Sequence, residues 1–192
     1  MSLDLSTLRR QVETCQSCPL HKTRRRPVFG EGPANASVVF VGLGPGYHEN
    51  VDGRPFVGAA GQLLDDLLTL AGLRRDDVYI TNILKCYLPT NQATDDEVAA
   101  CTPYLDTQLA LIQPRFVIPL GNVAAHYLLQ KYGQPLAPMR DLHAKPFLIT
   151  TLFRCITIIP MYHPAAALRN PGLKQVVWAD WQKLGQLLQE SS

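Results

Sequence analysis

No stretch of this 192-residue chain is apolar for long enough to cross a bilayer; the longest, Phe147–Pro160, is interrupted by Thr150, Thr151 and Arg154. The opening segment has no apolar signal-peptide core, carrying Ser2, Asp4, Arg9 and Arg10 instead, so a cytoplasmic protein is expected. Charge of one sign is also scarce. A net charge of +2 gives no argument from composition for nucleic-acid binding, and the basic run Lys22–Arg26 by itself reads as solvated surface. Disulfides are not expected, because the five cysteines of a cytoplasmic chain stay reduced. There is no internal repeat and no dividing linker, which implies one domain over residues 1–192.

What the chain does have is alternation. Ser37–Gly42 is a continuous apolar run bounded by turn residues, the mark of a buried parallel strand. A long loop with Gly42, Gly44, Pro45, Gly46 and Gly53 is expected next, followed by a helix over Gly61–Leu70 with leucines at helical spacing. Asp77–Asn82 reads as a strand, and Asp95–Ile112 as a helix capped by Thr94. Arg115–Leu120 is a strand, Asn122–Lys131 a helix, Phe147–Pro160 a strand pair, and Leu173–Gln189 the closing helix. Near the N-terminus, Leu5 to about Cys15 is a short amphipathic helix. The pattern predicts an α/β fold with a doubly wound, mainly parallel central sheet flanked by helices. Such sheets bind ligands beyond the carboxyl ends of their strands, so Gly42–Gly46, Thr81–Asn82 and Met161–Pro164 should converge.

The cysteines divide into a C-x-x-C pair, Cys15 and Cys18, the separate Cys86 and Cys101, and Cys155 within an apolar stretch. Four thiolates hold either a tetrahedral zinc or a [4Fe–4S] cluster, and spacing does not choose between them. Cys155 reads as an ordinary buried residue.

Several motifs in fixed order carry a resemblance. They are Val28–Gly32, Val41–Gly46, Gly53–Gly58, Ala60–Leu64, Tyr79–Cys86, Tyr162–Ala166 and Leu168-Arg169. With them the chain resembles the family 4 uracil-DNA glycosylases over almost its whole length. The resemblance implies a three-layer α/β/α domain, and a structural [4Fe–4S] cluster on Cys15, Cys18, Cys86 and Cys101 that ties on the N-terminal segment. It also implies action on uracil in single- or double-stranded DNA by a monomer with no membrane partner.

The chemistry of base excision gives each matched residue a task. Such an enzyme flips its nucleotide into a pocket. Phe56 would stack on the base, and Asn82, with one acceptor and two donors on its amide, would read the N3–H and O4 edge of uracil. Glu49 matches the family's wall against the thymine methyl. His163 would stabilise the departing uracil anion at O2. Backbone N–H groups from Gly42 through Leu43 and Gly44 to Gly46 would hold the uracil edge or a phosphate. Leu168 and Arg169 would meet the minor groove, as a wedge and a phosphate contact.

Three positions depart from the family. Leu43 stands where family 4 enzymes usually carry Glu, as in family 5, and Gly44 aligns with the water-activating Asp of other uracil glycosylases. Asp141 follows Arg140 where Arg-Gly is usual. Two alternatives follow: excision of hypoxanthine or xanthine, or an iron–sulfur module that binds DNA and cuts weakly or not at all.

Overall fold

The computed structural model describes residues 4–151 and 154–190; Ser2 of the opening segment and Leu152 and Phe153 of the expected strand pair lie outside them. The chain starts with α1 (Leu5–Thr14), whose first turn is closed by the Asp4 carboxylate accepting the Thr7 N–H at 2.7 Å. β1 (Val38–Gly42) is buried along its whole length. The Gly-rich stretch after it holds a helix that the sequence does not announce, α2 (Tyr47–Asp52), begun at Gly46 and ended by left-handed Gly53. Then come α3 (Ala59–Leu70) and the edge strand β2 (Tyr79–Asn82).

α4 (Asp95–Ile112) opens as expected at Thr94, in a reciprocal cap with Glu97. β3 (Phe116–Pro119), α5 (Asn122–Lys131) and a single turn, α6 (Met139–Leu142), follow. β4 (Phe147–Thr150) and β5 (Cys155–Ile158) form the expected pair. α7 (Pro164–Arg169), begun by Pro164 at its first position, and α8 (Lys174–Glu190) complete the chain.

Among the described residues the sheet has five strands in the order β2-β1-β3-β5-β4, all parallel except β4, which runs antiparallel to β5. Alternation along the strands builds two cores. Val39, Val41 and Val117 face α4 and α5, against Leu105, Leu109, Ala125 and Leu128. Val38, Phe40, Phe116 and Ile118 face α3 and α8, against Leu64, Leu68, Trp181 and Leu184. This is the expected three-layer arrangement. β1 leads to β2 on one side through α3, and β2 to β3 on the other side through α4. The chain therefore switches direction at β1, and its carboxyl edge opens there.

One loop at that edge is heavily constrained. Phe56 sits in the left-handed region at φ 51°, a conformation costly for an aromatic residue unless its surroundings enforce it. The Glu49 carboxylate accepts the N–H groups of Val57 and Gly58, both at 2.9 Å. The Arg75 guanidinium donates to the carbonyls of Pro55 (2.7 Å) and Phe56 (3.2 Å). Arg75 is itself fixed by Glu31 and Asp65, both at 2.8 Å. Gly61 lies so close to the Phe56 carbonyl that a Cβ would overlap it. Gly61→Ala should therefore cost about 1–3 kcal/mol, read as a lower denaturant midpoint with an unchanged m-value. An unshifted midpoint would mean that the Phe56 loop is free to move away.

Candidate active site

A cavity of about 300 Å³ lies at the carboxyl edge, and its walls come from the ends of all four parallel strands. Leu43, Gly44, Gly46 and Glu49 follow β1, Asn82 ends β2, Leu120–Asn122 follow β3, and His163 follows β5. Phe56 closes it from the constrained loop. The three clusters expected to converge do so. The parallel register sets Gly42 directly beside Asn82. A Cβ at Gly42 would overlap the Asn82 Oδ1 and stand 2.8 Å from the Phe56 ring. Gly42 itself is not in the wall, but it leaves the space that both side chains use. Asn82 is only 2 % exposed, yet no described protein group hydrogen-bonds its side-chain amide, which is thus free to bind a ligand.

His163 faces the same space. Its ring stacks on Phe56 with centroids 5.6 Å apart. Nδ1 accepts the Ala165 N–H at 3.1 Å, capping α7. A ring nitrogen that accepts cannot carry the proton, so the neutral imidazole carries it on Nε2 as a donor. Burial, helped by the Arg169 cation and opposed by Glu49, lowers the His163 pKa to about 4. At neutral pH the site thus holds an uncharged donor of fixed tautomer.

Glu49 lies on α2, not in a loop, and one of its oxygens is engaged with the Phe56 loop, so its carboxylate is a fixed piece of wall. Leu43 lines the cavity as an apolar side chain, and Gly44 contributes only backbone. The sequence reading missed Asn91 and Asn122. With Glu49, Asn82, His163 and Arg169, they complete the polar side chains of the wall. Asn122 had a usable signal, since it opens the helix three residues beyond a strand's carboxyl end; Asn91, with φ 53° in an irregular turn, had none. Arg169 reaches the cavity, whereas Leu168 is 52 % exposed beside it. Arg140 and Asp141 pair with each other at 3.5 Å on α6 and take no part in the wall.

Cys15, Cys18, Cys86 and Cys101 line a second, smaller hollow between the end of α1 and α4. Arg24 donates to the Cys86 sulfur at 3.2 Å, and the Lys85 N–H to the Cys101 sulfur at 3.3 Å. Burial pushes the Cys101 thiol up to about 11, and also raises Cys86 against the pull of Arg24. No group of three or more His, Cys, Asp or Glu among the described residues is arranged to hold a single metal ion. Cys155 corrects an expectation: it is exposed, not buried. It begins β5 opposite Thr150, and alternation points Ile156 and Ile158 inward instead.

Between hollow and cavity lies the buried Lys85. Its Nζ bonds Thr81 Oγ1 (2.8 Å), the Asn82 carbonyl (2.6 Å) and Gln108 Oε1 (2.6 Å). Burial, opposed by Cys101, lowers its pKa to about 7.

Residues 29–185 match the uracil DNA glycosylase superfamily. The chain is 39% identical to a type-4 uracil-DNA glycosylase of Sulfurisphaera tokodaii, over 95% of this chain and 84% of that one. It is 40% identical to the type-4 uracil-DNA glycosylase of Archaeoglobus fulgidus, over 95% and 92% of the two chains. A type-5 uracil-DNA glycosylase of Thermus thermophilus matches at 37% identity, but over only 56% of each chain.

The state of His163 is open to direct measurement. Nitrogen-15 NMR should find Nε2 protonated and Nδ1 bare at pH 7, with protonation only near 4. Because the unfolded chain takes up this proton near 6.5, the folded state loses stability as pH falls from 6.5 to about 4. His163→Gln should lack that part of the slope. Titration near 6.5 in the folded protein would contradict the desolvated ring.

Proposed function

The chain belongs to the uracil DNA glycosylase superfamily, and from that premise we propose that it flips uracil out of DNA and hydrolyses its N-glycosidic bond, leaving an abasic site in DNA repair. The observation that carries the reading is the meeting of three groups in one cavity: the Phe56 ring, the unpartnered Asn82 amide and the Nε2–H of His163.

Their roles follow from the base. Phe56 offers an apolar face for the flipped ring, which stacks on it as it leaves the helix. Asn82 Oδ1 accepts the uracil N3–H while its NH₂ donates to O4. Cytosine presents the reverse pattern there, and each buried mismatch costs about 1–3 kcal/mol. Glu49, held by two backbone N–H groups, stands as the wall that a thymine methyl would meet. As the bond lengthens, the sugar gains positive charge and uracil negative charge, largely at O2. His163 Nε2–H donates to that oxygen, and a donor already fixed in a desolvated site needs no reorganisation when the charge appears.

Among the described residues of the wall Glu49 is the only carboxylate, and one of its oxygens is engaged with the loop. Asn91 and Asn122 are the remaining wall amides able to orient the attacking water. Leu168 fills the stack that the base vacates, and Arg169 takes a phosphate. The protein works as a cytoplasmic monomer of one domain; among the described residues no helix is long and apolar enough to cross a membrane.

We further propose that Cys15, Cys18, Cys86 and Cys101 hold a [4Fe–4S] cluster. What supports it is the donor set: four thiols around one hollow, two of them receiving N–H hydrogen bonds of the kind that stabilise cluster sulfurs. Such a cluster would supply cross-linking, joining the segment after α1 to the loop after β2 and to α4.

Oligonucleotides bearing one uracil, hypoxanthine or xanthine, treated with the protein and then with alkali, test the activity. Uracil should be cut, and Asn82→Ala should lower its single-turnover rate at least about tenfold without weakening DNA binding at fixed salt. Cleavage of hypoxanthine or xanthine in preference to uracil would overturn the base assignment, and binding without cleavage would leave a binding module. Separately, purified protein should contain about four irons and absorb broadly near ~400 nm. One zinc and no iron would sink the cluster, and Cys155→Ser should leave the colour unchanged.

A further inference from the structure

Lys85 is 1 % exposed, and no ion pair among the described residues includes it. Burying an ionisable amine without an ion-pair partner is expensive, and an unbranched apolar side chain would fill the same space at no such cost. The mechanism above does not use it.

Its surroundings account for every donor. An ammonium has three, and three acceptors meet it: Thr81 Oγ1, Gln108 Oε1 and the Asn82 carbonyl. Those acceptors are spoken for in turn. The Thr81 hydroxyl donates to the Phe29 carbonyl at 2.9 Å. The Gln108 NH₂ donates to the same carbonyl at 2.8 Å and to the Tyr79 hydroxyl at 3.2 Å. The network is closed, and a closed buried polar network holds its members in one arrangement.

The position matters as much as the closure. β2 is an edge strand, so alternate backbone groups on its outer side have no neighbouring strand. At Ile80 they are taken by Glu31, through hydrogen bonds of 2.8 and 3.0 Å. Two residues further, the Asn82 carbonyl is taken by Lys85 Nζ. On the other side of the chain the Lys85 N–H reaches the Cys101 sulfur, and its neighbour is Cys86.

We infer that Lys85 is the positioning residue that holds the Asn82 amide at its base-reading angle and anchors that strand end to the four-cysteine site. This rests on the reading of Asn82 as the group that recognises uracil. An Asn amide that rotates freely serves cytosine as well as uracil, so a fixed backbone beneath it contributes to discrimination and not only to stability.

The test compares wild type, Lys85→Met, Asn82→Ala and the double variant by three readouts. These are iron content with absorbance near ~400 nm, single-turnover uracil excision, and relative affinity for an oligonucleotide carrying 2′-fluoro-deoxyuridine against the same strand carrying cytosine. The fluorinated sugar resists cleavage, so that affinity reports base reading without chemistry. Lys85→Met should keep its iron, lose most of the uracil preference, and excise about tenfold more slowly or worse. In the Asn82→Ala background the same change should add almost nothing. A full uracil preference in Lys85→Met, or an undiminished effect in the Asn82→Ala background, would overturn the inference. If Lys85→Met fails to fold or to hold iron, Gln108→Leu removes one acceptor away from the cysteines; lost preference with intact iron supports the inference, and full preference overturns it. A wild type that neither prefers nor excises uracil would sink the base-reading assignment and this inference together. Normal discrimination in wild type with an unaffected variant sinks the inference alone.

Discussion

The site depends on a space left empty. β1 and β2 run in parallel register with Gly42 beside Asn82, and the volume where a Cβ would stand is shared by the Asn82 amide and the Phe56 ring. Any side chain at Gly42 would push both away. Because the sheet switches direction at β1, the ends of β3 and β5 arrive at the same edge, and the pairing of Leu120 with Met161 carries His163 to the far wall. Sheet topology makes the cavity, and one glycine keeps it open.

Around that space the protein holds each group by backbone hydrogen bonds. The Ala165 N–H fixes the His163 tautomer, Glu49 and Arg75 fix the Phe56 loop from opposite polarities, and Lys85 takes the Asn82 carbonyl. Glu31, which anchors Arg75, remains ionised below the usual carboxylate range: burial acts against the charge, but hydrogen bonds from Arg54 and Arg75 outweigh it. On the proposed reading, a leaving group that becomes anionic only in the transition state would be served by dipoles already in place. On the proposed roles, that would also account for Leu43 in the wall. A bond that breaks mainly by departure of a stabilised anion depends more on the donor at O2 than on a base at the water.

The central strands were legible because burial on both faces leaves an unbroken apolar run, as in Val38–Val41. α4 was legible from Thr94, whose cap is a local event that the structure completes with Glu97. α2 was not. Its six residues carry no apolar stripe, and it is stabilised by tertiary contacts, among them Asn50 Oδ1 accepting the Arg25 N–H at 2.6 Å. Cys155 was misjudged because an apolar run read as buried throughout is in fact an alternating strand near the sheet's antiparallel edge. Asn82, His163 and the cysteines stood out by motif, whereas Arg75 and Lys85 gain meaning only from partners 10 to 44 and 3 to 23 residues away. Long-range polar partners leave no periodic signal.

The central claim is that one cavity holds uracil by Asn82, Phe56 and a neutral His163. A crystal structure of the protein with DNA carrying cleavage-resistant uracil tests it most directly. The account predicts the flipped base against Phe56, its N3 and O4 on the Asn82 amide, and its O2 within about 3 Å of His163 Nε2. A base seated elsewhere, or an O2 that meets water while Nε2 points away, would contradict it.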